Sequence, residues 1–166
     1  MFDIDVHIIR LDEPDWMLNR CLASLAGQPI NIHIVQGVVE APPLTGRRLG
    51  FEAGQAPYCS LVDPDDTVEP GAYAAMLEFA GAFDVIHGNE RVLKDGKELS
   101  INTGIHHAFL VRRGIAGLDY ARGNLGVINA SPRLRLSVKH LDQVFYNWNI
   151  GEGNLYNRTA EKYGVD

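Results

Sequence analysis

Tyr58-Cys59-Ser60-Leu61-Val62-Asp63-Pro64-Asp65-Asp66 is the stretch on which the architecture turns. Five mostly apolar residues suit a central strand covered on both faces, and the strand runs straight into three carboxylates in four positions. The carboxyl end of a buried strand is where an open α/β sheet places its ligand. Packed carboxylates raise one another's proton affinity and settle only beside a cation, a basic side chain or bulk water. Mg²⁺ or Mn²⁺ answers that requirement, because a hard ion takes oxygen ligands and bridges to substrate phosphates. The plainer reading is a turn around Pro64, with Asp66 capping the next helix. An EF-hand is excluded, since neither its glycine nor its terminal glutamate falls at the required offset.

Upstream of this stretch the pattern is β-α-β. Ile4, Val6 and Ile8 alternate with Asp5 and His7 as in a strand. Asp12, Glu13 and Pro14 form a helix start. Leu18, Cys21, Leu22 and Leu25 then share one helical face, closed by Gly27 and Pro29. Ile30, Ile32 and Ile34 make a second strand, and such a unit crosses over right-handed into a parallel sheet. Residues 47–56 are a short helix candidate. Downstream, Pro70 opens a helix carrying Ala72, Ala75, Met76 and Phe79, and a strand covers 83–87. Asp95-Gly96 is a hairpin turn pair, 108–111 is a strand, and 140–148 is predicted as a helix.

Composition limits the alternatives. The 166 residues fit one domain, 1–166, with a core of its own, and 46% hydrophobic against 22% charged residues is ordinary for a globular chain. A net charge of -6 argues against a protein that coats nucleic acid by charge alone. Charge is uneven, however: between Ile105 and His140 the only acid is Asp119, among Arg112, Arg113, Arg122, Arg133, Arg135 and Lys139. That stretch is either an anion-facing surface or a solvated basic face. Cys21 and Cys59 are far apart and lack metal or disulfide spacing. No apolar run approaches the roughly 20 residues of a membrane span, and no leader pattern opens the chain. These features together give the expectation of a cytoplasmic protein.

From Gly46-Arg47-Arg48-Leu49-Gly50 through Ala56-Pro57-Tyr58 to Asp63-Pro64-Asp65-Asp66, the chain resembles the central motif of family 2 glycosyltransferases. Leu18 to Gln28, with the Ser24-Leu25 pair, looks like that family's first helix, so the resemblance covers about the first hundred residues. It implies a single Rossmann-like glycosyltransferase A domain of the α/β class, with a mostly parallel central sheet flanked by helices. It also implies a metal-dependent, inverting transfer of sugar from a nucleoside diphosphate sugar, a UDP-sugar by preference, to a hydroxyl acceptor. By resemblance, Asp65 and Asp66 hold Mn²⁺ or Mg²⁺, Asp63 lies on the ribose or metal shell, and Arg47 meets the phosphates.

Three positions depart from the family's pattern. The family ends its second strand in a base-reading aspartate, where this chain has Gln36, whose amide can still bond a base edge. Arg48 stands where the family has Asn. The catalytic base matches Asp142, in His140-Leu141-Asp142-Gln143, with the preceding acid of the family's pair replaced; Glu152 is the reserve.

His106 and His107 follow Gly104 just before the strand at 108–111, where an acceptor or metal contact is one reading; adjacent strand residues point to opposite faces, so the two do not bind one ion together, and the other reading is packing and local hydrogen bonding. Tyr146, Trp148 and Tyr156 suit either a sugar platform or the core. The rival to an enzyme is a non-catalytic nucleotide-sugar-binding module or partner subunit, supported by the neutral Gln36 and the degraded acidic pair. Glycosylation of a modified nucleic-acid base is a minor reading that rests on the basic stretch. A nucleotidyltransferase needs a glycine-rich loop after the first strand, and Leu11-Asp12-Glu13-Pro14 is not one. Gly-x-Ser-x-Gly and Gly-Lys-Ser/Thr patterns are absent, which removes serine hydrolases and Walker-type NTPases.

Overall fold

The computed structural model describes residues 3–37, 49–50, 52–105, 107, 109–115 and 136–151. Strand β1 (Ile4–Arg10) leads through helix α1 (Asp15–Leu25) to β2 (Asn31–Gln36), and β2 lies parallel to β1. Met17, Leu18, Cys21 and Leu25 are the buried face of α1, as the helical spacing predicts. Pro14 occupies the N-cap, Asp15 sits in the first turn where the dipole favours an anion, and Gly27 turns the chain with a φ of 76°. Strand β3 (Tyr58–Val62) pairs parallel to the other edge of β1 and is buried at every position.

The chain then adds β4 (Thr67–Val68), helix α2 (Ala72–Leu77), β5 (Val85–Lys94), β6 (Lys97–Asn102), β7 (Phe109–Arg112) and β8 (Val138–Asn149). The sheet order is β2-β1-β3-β7-β5-β8-β4, with β6 paired to β5. The pairings of β1 with β2, β1 with β3 and β5 with β8 are parallel; those of β3 with β7, β5 with β7, β5 with β6 and β4 with β8 are antiparallel. The expected α/β class holds, but the sheet is mixed rather than mostly parallel. The parallel order ends at β7, which runs antiparallel to both of its neighbours, β3 and β5. Val85 to His87 pair with β7, while Glu90 to Lys94 turn at Asp95-Gly96 and pair with β6. Both turn residues have positive φ, 51° and 74°, as the Asp-Gly pair predicts.

Residues 140–148 are strand, not helix. Leu141, Val144, Phe145 and Trp148 fall at i, i+3, i+4 and i+7, which imitates a helical face. The β-branched and aromatic content favours a pleated strand once β5 offers a parallel partner along its length. The match is interrupted by register shifts between His87 and Glu90. Gly88 lies at that irregularity, where a Cβ would stand 2.2 Å from the Phe145 ring. Of the predicted helix at 47–56, Leu49, Gly50 and Glu52 are helical, residues 53–56 are not, and 47, 48 and 51 lie outside the described residues.

Two apolar clusters cover the sheet. Ile4, Val6, Ile8, Val62 and Ile86 pack with α1 and α2 on one face. Cys59, Leu61, Val85, Phe109 and Val111 pack on the other. Beside the second cluster the buried Asp5 accepts hydrogen bonds from Asn31 Nδ2 (3.0 Å), the Ala56 amide (2.7 Å) and the Arg113 guanidinium, and pairs with His33 Nε2 at 2.9 Å.

Candidate functional site

With both faces of β3 covered, the first residue free to leave the apolar layers is Asp63, at the carboxyl end of the strand. The Asp66 amide bonds back to the Asp63 carbonyl at 3.1 Å, closing a turn around Pro64. The turn part of the plainer reading is therefore present. Asp66 does not cap a helix: the next element is β4, and β4 pairs with β8 through Thr67↔Asn147 and Val68↔Tyr146. That pairing draws the end of β8 beneath the acidic loop.

Asp66 is 1% exposed. Its Oδ2 accepts the Tyr146 hydroxyl at 2.8 Å and its Oδ1 accepts the Asn149 amide at 2.7 Å. The same hydroxyl accepts the Asp63 amide at 3.1 Å, so one oxygen orients both acids. The Asp65 carbonyl takes the Arg20 guanidinium and, at 3.2 Å, Asn149 Nδ2. Burial, then Asp63, then Asp65 push the Asp66 carboxyl well above the ordinary carboxylate range. Burial, aided by the Asp66 and Asp63 charges, also drives the Tyr146 phenol upward, so it remains a donor.

His107 completes the group. Its Nδ1 is 2.6 Å from Glu90 Oε2 and its Nε2 is 3.5 Å from Asp63 Oδ2, while its ring stacks on Tyr146 with 5.0 Å between centroids. Burial favours the neutral ring, but Asp63 and Glu90 outweigh it and raise the pKa to about 10. One ligand atom from each of Asp63, Asp66 and His107 lies within 4.8 Å of the others. Two carboxylate oxygens and an imidazole nitrogen fit a divalent ion, and the nitrogen favours Mn²⁺ over Mg²⁺.

Asp65 stands outside that triad and lines a cavity of about 210 Å³ with Trp16, Arg20, Asp95 and Asn149. Gln36 lies at the carboxyl end of β2, where its Nε2 donates to the Leu11 carbonyl at 3.0 Å. Asp142 is on β8 and accepts Asn89 Nδ2 at 3.0 Å, while Asn89 Oδ1 takes His140 Nε2 at 2.8 Å. The structure thus brings Asp63, Asp66 and His107 together, while Asp142 is held by Asn89, the residue before Glu90 on β5. Arg47, Glu152, His106 and Tyr156 lie outside the described residues. Two cations of the basic stretch are internal ties: Arg113 to Asp5 and Arg112 to Asp84 at 3.2 Å.

His107, Glu90 and Tyr146 join the site without any contiguous motif. Adjacent strand residues point to opposite faces, which makes His106 and His107 read as packing residues; the structure instead sets His107 between Asp63 and Glu90. The signal that could have raised it is chemical: a buried histidine needs anionic or hydrogen-bonding partners, and Glu90 and the acidic loop supply them.

The fold of this mixed α/β sheet has counterparts among solved structures. Staphylococcus aureus TarS shares it. TarS 1-349 in complex with UDP-GlcNAc superimposes with a TM-score of 0.69 at 13% identity, over 93% of this chain and 60% of that one. A TarS crystal structure gives 0.67 at 11% identity, over 90% and 37%. The bifunctional IspDF from Campylobacter jejuni gives 0.59 at 9% identity, over 84% and 49%. The likeness is one of fold, and the chain spans between 37% and 60% of the TarS chains named. No protein-family model matches the sequence, and no curated protein matches it. Among the described residues, no helix is long and apolar enough to cross a membrane.

Proposed function

We propose that this chain is a metal-dependent glycosyltransferase domain that takes a UDP-sugar and passes the sugar to a hydroxyl acceptor with inversion. The observation that carries the reading is the Asp63, Asp66 and His107 group at the carboxyl edge of β3, in a fold that TarS uses to hold UDP-GlcNAc. Asp63, Asp66 and His107 would hold the divalent ion, Mn²⁺ before Mg²⁺. The ion supplies Lewis-acid and electrostatic neutralisation of the diphosphate as it departs. Tyr146 keeps Asp63 and Asp66 in register, and burial keeps water off Asp66. Asp65 faces the donor side of the loop, Gln36 meets the base at the end of β2, and Arg47 meets the phosphates. Asp142, steadied by Asn89, takes the acceptor proton.

One observation favours a second reading, a nucleotide-sugar-binding module without transferase activity: the Asp142 carboxylate is engaged by Asn89, which is tied in turn to His140. A panel of UDP-sugars with Mn²⁺ separates the two. Slow donor hydrolysis, or transfer to a polyol acceptor with an inverted anomeric proton by NMR, supports the enzyme. Thermal protection by UDP and Mn²⁺ without turnover supports the module. If Asp66→Asn leaves metal-dependent UDP binding intact, both readings lose their site.

A further inference from the structure

Glu90 is a carboxylate buried to 1% exposure in the middle of the molecule's longest parallel pairing. Charged side chains are almost never so buried unless paired. Both of its oxygens are engaged. Oε1 accepts Asn102 Nδ2 at 3.0 Å, from the residue directly opposite it on β6, and Oε2 accepts His107 Nδ1 at 2.6 Å. The carboxylate is therefore pinned by the β5–β6 hairpin before it meets the imidazole. His107 is fixed a second time by the Tyr146 ring, stacked at an interplanar angle of 14°. The stack sets the plane of the imidazole and the Glu90 hydrogen bond sets its rotation within that plane. Only one direction is left for Nε2, toward Asp63 Oδ2 at 3.5 Å.

We propose that Glu90 is the positioning residue for His107 as a metal ligand: it holds the proton on Nδ1 and so presents the Nε2 lone pair to a divalent transition-metal ion beside Asp63 and Asp66. The inference rests on the metal reading above and assigns Glu90 no contact with the ion. A carboxylate behind a ligating histidine fixes its tautomer and raises its basicity, and losing such a partner typically weakens metal binding about 10–100-fold. Asn102 belongs to the same arrangement, since it stops Glu90 from swinging toward the metal and becoming a ligand itself.

The test measures Mn²⁺ binding to the full chain with UDP, by the EPR signal of free Mn²⁺ and by spin-echo modulation from a directly bonded ¹⁴N. The wild type, Glu90→Gln, His107→Ala, the double variant and Asp66→Asn are compared, with thermal unfolding in chelator as the folding control. Wild-type protein is expected to show ¹⁴N modulation. Glu90→Gln is expected to lose it and to bind Mn²⁺ about 10–100-fold more weakly. In the His107→Ala background the same substitution is expected to add almost nothing, which a purely structural role would not produce. Should Glu90→Gln fail to fold, Glu90→Asp retracts the carboxylate while keeping its charge, and the same losses are expected. Persistence of ¹⁴N modulation in a folded Glu90 variant, or equal weakening in both backgrounds, overturns the inference. Wild-type binding that Asp66→Asn abolishes but that shows no ¹⁴N modulation sinks the role of Glu90 and spares the metal reading. Wild-type protein that binds no Mn²⁺ sinks both.

Discussion

The Tyr146 hydroxyl is the smallest feature on which the site depends, because it donates to Asp66 and accepts from the Asp63 amide. Tyr146→Phe keeps the ring under His107 but leaves a buried carboxylate oxygen and a backbone amide short of a partner. That should cost about 1–3 kcal/mol of stability, read as a lower urea midpoint at unchanged slope, and weaken Mn²⁺ binding alongside. Asp63, Asp65 and Asp66 were legible in the sequence because they are contiguous. Tyr146, Glu90 and His107 were not, because three separated segments bring them together and only the folded sheet relates those segments. A second residue-scale effect concerns His7, fully buried beside Asp5, His33 and Arg113 and 3.0 Å from the Ala53 carbonyl. Burial, opposed by that carbonyl and aided by the charges of His33 and Arg113, lowers its pKa from 6.5 to about 4. Above pH 6.5 neither state protonates the ring. As pH falls from 6.5 toward 4 the unfolded chain binds the proton first, so stability is lost in that window. His87, lowered by burial and by His140, acts in the same sense. His7→Gln should therefore flatten, without abolishing, the fall in urea midpoint between pH 6.5 and 4; an unchanged profile would show that His7 titrates normally.

At the scale of elements, β8 is where the sequence misled and where the site is assembled. Its i, i+3, i+4, i+7 apolar spacing suggested a helix with Asp142 near the start; as a strand it instead delivers Tyr146 and Asn149 under the acidic loop and holds Asp142 against Asn89. Periodicity could not separate the two, because a strand with register shifts places its apolar residues at uneven intervals. The β1-α1-β2 unit and β3 were legible because each has an uninterrupted period and a clean stop. Gly88 holds the irregular pairing of β5 and β8: a Cβ there would meet the Phe145 ring at 2.2 Å and the Gln143 carbonyl at 2.9 Å. Gly88→Ala should cost about 1–3 kcal/mol, as overpacking does, by forcing β8 outward from β5. Loss of Mn²⁺ binding beyond what the stability change explains would show that the shift travels along β8 to Tyr146. Unaltered stability would mean that β8 yields at no cost, and that the pairing does not depend on the glycine.

At the scale of the whole molecule, strand orientation was the part of the fold least written in the sequence. An alternating apolar pattern specifies a strand and its buried face, but not which neighbour it joins. The reversal of β7 between β3 and β5, with the antiparallel β6 and β4, makes the sheet mixed. The carboxyl ends of β1, β2 and β3 nevertheless fall on one edge, which gathers Gln36, Asp63 and the acidic loop there. On a chain of net charge -6, that edge adds local negative charge to a molecule already negative overall. A diphosphate approaching it meets repulsion from Asp63 and Asp65 unless a cation intervenes, and Asp66, whose carboxyl holds its proton more tightly than usual, is drawn to its charged form by such a cation. Among the described residues the loop already meets two cationic groups, the Arg20 guanidinium on the Asp65 carbonyl and the His107 ring with its pKa raised to about 10, and the geometry offers a third in Mn²⁺. If the metal is required, UDP alone should leave the melting temperature almost unchanged. UDP with Mn²⁺ at a hundred times its dissociation constant should add about 2.7 kcal/mol, a rise on the order of 5–10 °C for a chain of this size. Mn²⁺ must then give up its place to the His107 proton as the solution is acidified, so the rise should shrink at lower pH. If UDP protects equally with and without chelator, the imidazolium is the counter-charge and the fold binds its diphosphate without metal.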